Sequence, residues 1–163
     1  MPIKEPDDHE RPLPLDSDIE TDENASGLPL PVHLHWRFIA LVGLGGAGGT
    51  AARHLLDEAI GSVHGFPLGT FLINVVGAFA LGILLETLAR SGSDAGHRRR
   101  FRLLLGTGFL GGFTTYSALA VDADTLLRTG RLGTALAYAV GTVTLGLVAS
   151  VAGIAVARRA VRS

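Results

Sequence analysis

The sequence predicts an all-α integral membrane protein with four transmembrane helices. Three features point to it. Four stretches, 38–52, 59–85, 103–121 and 132–157, contain no Asp, Glu, Lys or Arg. Nine of the 15 acidic residues and six of the seven prolines precede His33, whereas the remainder holds 12 arginines against six carboxylates. That basic, apolar remainder also contains 21 of the 22 glycines.

A helix crosses the hydrocarbon with about 20 mostly apolar residues. The second, third and fourth stretches reach that length unaided. The first reaches it when Arg53 snorkels to an interface and His54, Leu55 and Leu56 complete the helix. A soluble helical bundle would need polar faces at helical spacing, and residues 72–85 have almost none. The predicted helices cover about 36–57, 67–90, 101–127 and 132–158 of a domain spanning 34–163. With no cysteine in 163 residues, a disulfide scaffold, a thiolate zinc site and a cysteine nucleophile are excluded.

Residues 1–33 form an acidic, proline-rich tail, expected to be disordered because like charge and low hydrophobicity give it no core to bury. Lacking a basic start and an apolar run, it does not read as a signal peptide. With four spans, one side carries Arg37, Arg90, Arg98, Arg99, Arg100, Arg102, Arg158, Arg159 and Arg162, against Arg53, Arg128 and Arg131 on the other. Such a bias puts both termini in the cytoplasm of a plasma-membrane protein. Next to a span, the Arg98–Arg102 cluster calls for anionic lipid rather than nucleic acid.

Gly45 with Gly49, and Gly108 with Gly112, form small-xxx-small pairs, and Gly77 and Gly82 thin the second helix. Small residues let helix backbones approach closely in lipid. Read as a phosphate loop, residues 43–49 fail, because no strand precedes them and no Lys-Ser or Lys-Thr follows.

The third stretch breaks the pattern. Thr114, Thr115, Tyr116 and Ser117 are consecutive hydroxyl side chains in an apolar span, so a regular helix would aim some of them at lipid. Gly111 and Gly112 precede them with backbone freedom. One reading is a third helix broken at mid-membrane, its freed carbonyls lining a buried site fit for a small hard cation such as Na⁺. The other is a continuous helix whose hydroxyls bond back to their own carbonyls.

On the second helix Thr70 and Asn74 share a face, and Asn74 is the only amide side chain in the spans. Tyr138 and Thr142 repeat the spacing on the fourth, where back-bonding is the alternative. No carboxylate lies deep in a span; Glu86, Asp122 and Asp124 stand at the ends. His33 and His35 lack the partners a metal site needs. Hydroxyl and amide donors along a narrow path suit a small, strongly hydrated anion.

The run Gly111-Gly112-Phe113-Thr114-Thr115-Tyr116-Ser117, the run of residues 69–77 and the looser Gly48-Gly49…Arg53 resemble the Fluc (CrcB) fluoride channels, over roughly Arg37 to Arg158. The resemblance implies a four-helix subunit that pairs antiparallel with a second one, forming two narrow pores through which fluoride leaves the cytoplasm passively. It implies a structural Na⁺ at the dimer interface, held by backbone carbonyls of Gly111 and Thr114. Thr70, Asn74, Thr115, Tyr116, Ser117, Tyr138 and Thr142 would line the fluoride path, with Arg53 at a vestibule.

Two departures argue against a simple homodimer. The family pattern continues Thr-Thr-Phe-Ser-Thr-Phe, whereas this chain has Tyr116, Ala118 and Leu119 in place of its phenylalanines and second threonine. A chain that inserts both ways also needs little arginine bias, and nine against three is strong. The expected assembly is an antiparallel heterodimer with a separately encoded, oppositely inserted subunit. The alternatives are a non-conducting structural partner and a small multidrug exporter, the latter disfavoured by the missing intramembrane acid. No catalytic constellation is present, so an enzyme is not expected.

Overall fold

A computed structural model describes residues 21–23, 29–31 and 35–160. Most of the tail, for which disorder is expected, lies outside the described residues, as do His33 and Arg162. The chain divides into two units, Met1–Ile39 and Ala40–Ser163. In the first, strands β1 (Thr21–Glu23) and β2 (Pro29–Pro31) pair antiparallel, with Asp22 opposite Leu30. The His35 carbonyl accepts from the amides of Phe38 and Ile39 as the first helix begins.

The described residues of the second unit are almost entirely helical. Helix α1 (Trp36–Ile60) begins in the first unit and continues into the second, α2 covers Leu68–Arg90 and a short α3 covers His97–Phe101. From Arg102 to Leu110 the chain winds as a wider π-helix, then returns to α geometry in α4 (Gly111–Phe113). Helical geometry stops at Thr114 and resumes in α5 (Tyr116–Arg128), which a tight turn joins to α6 (Leu132–Ala160). Three stretches, Leu68–Arg90, His97–Arg128 and Leu132–Ala160, are long and apolar enough to cross a membrane. The 25 residues of α1 are long enough, but its many glycines together with Arg53, Asp57 and Glu58 keep it less apolar.

α2 packs along α6, and α5 packs against α6. Glycine makes the close approaches possible: a Cβ on Gly82 would strike the Ser150 carbonyl, and one on Gly153 the Phe79 carbonyl. The small residues of α1 face the segment that carries Gly108 and Gly112. A Cβ on Gly49 would overlap the Phe109 carbonyl, and one on Gly112 would overlap the Gly46 carbonyl. Two apolar clusters fill the space between helices. Ile73, Leu110 and Phe113 form one, and Leu119, Leu126, Ala135 and Tyr138 the other.

At one end, Arg131 donates to the carbonyls of Gly65 at 3.0 Å and His64 at 2.9 Å, tying the α5–α6 turn to the α1–α2 loop. At the other, Glu86 accepts from Arg90 and, at 3.0 Å, from Arg158. Asp94 in the α2–α3 loop accepts from two nitrogens of Arg102, at 2.9 and 2.6 Å.

Candidate functional site

The site is built around the two residues where the helix stops. Thr114 (φ −78°, ψ 153°) and Thr115 (φ −150°, ψ 125°) are extended. An extended residue inside a bundle leaves its peptide groups without helical partners, and buried peptide groups must find others. Asn74 supplies them for Thr115. Its Oδ1 accepts from the Thr115 amide at 2.8 Å, and its Nδ2 donates to the Thr115 carbonyl at 3.0 Å. This two-way bond also fixes the orientation of the amide, because an N–H must face oxygen and a C=O must face nitrogen. One Nδ2 hydrogen remains for another acceptor.

The same bonds redirect the neighbouring carbonyls. In a continuous helix the Gly111 carbonyl would accept from the Thr115 amide, which goes to Asn74 instead. The Thr114 carbonyl would accept from the Ala118 amide, which goes to the Thr115 hydroxyl at 3.2 Å and caps α5. The Gly112 carbonyl accepts from Arg53 Nε at 3.3 Å and from the Thr50 hydroxyl at 3.4 Å. Thr114 turns its own hydroxyl back to the Leu110 carbonyl at 2.9 Å. Its methyl group fills the space that Gly77 leaves on α2. Two extended residues and a back-bonded hydroxyl thus stand side by side at this place.

Asn74, Thr114, Thr115, Tyr116 and Thr142 line one cleft of about 230 Å³. Ser117 is exposed beside it, its hydroxyl 3.1 Å from that of Thr115. The Tyr116 ring projects outward with 81% of its surface exposed. Thr142 is buried and donates to the Tyr138 carbonyl at 2.6 Å, so its proton serves its own helix and only lone pairs face the cleft.

Thr70 and Tyr138 occupy a separate, closed region. Tyr138 is fully buried, and Phe66 meets its ring edge-on at 5.5 Å. The Tyr138 hydroxyl donates to Asp122 Oδ2 at 3.0 Å, and the Thr70 hydroxyl donates to Asp57 Oδ1 at 3.3 Å. Reading along the sequence misses both carboxylates, since each stands near the end of an apolar stretch and looks like a solvated terminus. The available signal is their count, because only six carboxylates follow residue 33. Leu119 is buried with Leu126, Ala135 and Tyr138 and also contributes an aliphatic side chain to the lining of the cleft. Arg53 sits apart from the cleft, against the Gly112 carbonyl. Among the described residues no group of three His, Cys, Asp or Glu could hold a metal ion, so a cation here would rely on carbonyl oxygen.

The model of the family described as "CrcB-like protein, Camphor Resistance (CrcB)" matches residues 40–154, the region that carries all of this geometry. The chain belongs to the CrcB family. Over 125 residues it is 55% identical to "Fluoride-specific ion channel FluC 2" of Leifsonia xyli subsp. xyli, covering 77% of this chain and 86% of that protein. The "Fluoride-specific ion channel FluC" of Paracoccus denitrificans is 47% identical over 118 residues, 72% of this chain and 91% of the relative. "Fluoride-specific ion channel FluC 1" of Cutibacterium acnes is 48% identical over 109 residues, covering 66% and 76%. With these relatives and its apolar helices, the CrcB-family chain is a multi-pass membrane protein.

Proposed function

We propose that the chain is a fluoride-selective channel subunit through which fluoride leaves the cytoplasm passively, limiting its toxicity, and that it works as one half of an antiparallel heterodimer. It is a conduit rather than an enzyme. The observation that carries this reading is the Asn74–Thr115 clamp. It holds an amide donor rigidly beside hydroxyls and an exposed ring, in a cleft with no carboxylate in its lining. Such donors replace the hydration shell of a small anion, and a narrow opening disfavours larger ones. The ring edge of Tyr116 adds a partial positive charge. Helix α1 completes a four-span subunit when Arg53 lies at the vestibule, where its guanidinium would attract anions.

The carbonyls of Gly111 and Thr114 fit a structural Na⁺. Both have lost their helical amide partners, and a second subunit would contribute a matching pair. Bound there, the ion supplies a fixed positive potential beside an otherwise neutral anion path.

Two features support the heterodimer. Leu119 is buried in its own subunit and has no ring edge to offer, so the partner must supply that element. The arginine bias favours one orientation, with both termini cytoplasmic and the partner inserted the other way. The numbered names FluC 1 and FluC 2 among the relatives are in keeping with paired subunits. The burial of Leu119 also favours a second reading, a structural subunit whose partner alone conducts.

Growth on fluoride in cells stripped of their own fluoride export tests the proposal. Rescue is expected when the chain is expressed with an oppositely biased CrcB-family subunit carrying both phenylalanines, and not with either alone. Rescue that survives Asn74→Ala would favour the non-conducting role, and no rescue from the pair would contradict both.

A further inference from the structure

Resting on the sodium reading above, we infer that Arg53 is the positioning residue of the Gly111 and Thr114 carbonyls, acting through its Nε–H and not through its charge.

The carbonyls at the break have different fates. The amides that would serve Gly111 and Thr114 in a continuous helix go to Asn74 and to the Thr115 hydroxyl. The Gly112 carbonyl, between them in sequence, is held from α1 by Arg53 Nε at 3.3 Å and the Thr50 hydroxyl at 3.4 Å. Gly111 and Gly112 have no Cβ, so their peptide planes turn freely unless something outside the segment holds them. Upstream, the Leu110 carbonyl accepts both the Thr114 amide at 3.0 Å and the Thr114 hydroxyl at 2.9 Å. Downstream, Asn74 fixes Thr115. The planes that carry the Gly111 and Gly112 carbonyls meet at the Gly112 Cα. Tying the second to α1 therefore limits the swing of the first.

α1 is built to reach this carbonyl. A Cβ on Gly112 would overlap the Gly46 carbonyl, and one on Gly49 would crowd the Phe113 amide. Arg53 lies one turn beyond Gly49 on the same face of α1 and is half-buried. Gly111 is exposed on the subunit, where the carbonyls of a second subunit can complete a cage.

Electrostatics separates the donor from the charge. A guanidinium beside a cation site repels the ion, so the charge of Arg53 can only weaken Na⁺ binding there. Its N–H strengthens binding, because groups that orient a metal's ligands raise affinity, and losing one costs about 10- to 100-fold. Attraction of anions, by contrast, needs only the charge. Side-chain length distinguishes the two roles. Glutamine Nε2 stands as many bonds from Cα as arginine Nε, so Arg53→Gln keeps the donor and removes the charge. Methionine has the same reach with neither.

The test is thermal unfolding of the full assembly, this chain with an oppositely oriented CrcB-family subunit, in detergent. Sodium chloride is varied against N-methylglucamine chloride at constant ionic strength. Wild type should melt higher as Na⁺ rises, which defines a half-maximal Na⁺ concentration. Arg53→Met should raise that concentration about tenfold, and Arg53→Gln should leave it at or below the wild-type value. A half-maximal concentration unchanged in Arg53→Met overturns the proposal, even where the melting temperature falls equally at every Na⁺ concentration, since that is a purely structural role. Equal rises in Arg53→Gln and Arg53→Met overturn it too, by assigning the effect to charge. If Arg53→Met does not elute as a single assembled species, Arg53→Gln is compared with Arg53→Lys, which keeps the charge and moves the donor one bond farther. A value nearer wild type in Arg53→Gln supports the proposal, and one nearer in Arg53→Lys overturns it. Wild type that responds to Na⁺ without these shifts refutes this inference alone, whereas wild type indifferent to Na⁺ refutes it together with the sodium reading.

Discussion

At Thr115 the chain leaves helical geometry, and without Asn74 both its amide and its carbonyl would be orphaned between α2 and α5. Asn74→Ala should therefore lower stability by about 2 kcal/mol, read as a fall in melting temperature in detergent, and abolish fluoride efflux. Asn74→Asp keeps the acceptor for the Thr115 amide but loses the donor and adds a negative charge. It should recover part of the melting temperature and none of the efflux. Thr115 has a second role, since its hydroxyl caps α5 at the Ala118 amide. Thr115→Val should cost about 1 kcal/mol through that cap, and Thr115→Ser should restore it. At this scale the sequence was partly legible. An amide in an apolar span and four adjacent hydroxyls stand out by residue type alone. Their partners do not, because the contact joins positions 41 apart and depends on how each helix is rotated about its axis. The carboxylates are the clearest omission: position along the chain made Asp57 and Asp122 look solvated, whereas the fold aims each at a buried hydroxyl.

Among the elements, α1 depends on glycine to reach the segment that carries the break. Gly49 faces the Phe109 carbonyl and Gly112 faces the Gly46 carbonyl, with no room for a Cβ at either. Gly49→Leu should push α1 away, release the Arg53 and Thr50 bonds to the Gly112 carbonyl and yield aggregated protein on size exclusion. Gly43→Ala should leave the elution profile unchanged, because nothing lies within 4 Å of that site. The small-residue spacing is readable in one dimension, and the structure seats Gly45 against Gly108, Gly49 against Phe109 and Gly112 against Gly46. The π-helical turns from Arg102 to Leu110 are not readable in this way. Their apolar composition is that of an ordinary helix, and the wider winding depends on what the backbone packs against.

For the whole molecule, hydropathy and arginine distribution carry most of what the sequence conveys, because a bilayer selects on length, apolarity and charge asymmetry. The membrane character and the family were legible on those terms and from the motifs of α2 and α5. The glycine content and Arg53 make α1 the least apolar of the long helices, and the three stretches long and apolar enough to cross a membrane do not include it. Orientation is a property of this scale. A single cysteine introduced into the α2–α3 loop of this cysteine-free chain should be labelled from the cytoplasmic side alone. Labelling from both sides in comparable amounts would remove the argument for a fixed orientation and, with it, for an obligatory heterodimer.

The most direct measurement of the central claim is efflux from liposomes loaded with fluoride or chloride, followed with ion-selective electrodes. The chain would be reconstituted with an oppositely oriented CrcB-family subunit and compared with the same pair carrying Asn74→Ala in this chain. Rapid fluoride efflux without chloride efflux, lost on the substitution, is the result this account predicts. Equal release of both ions, or fluoride efflux indifferent to Asn74, would contradict it.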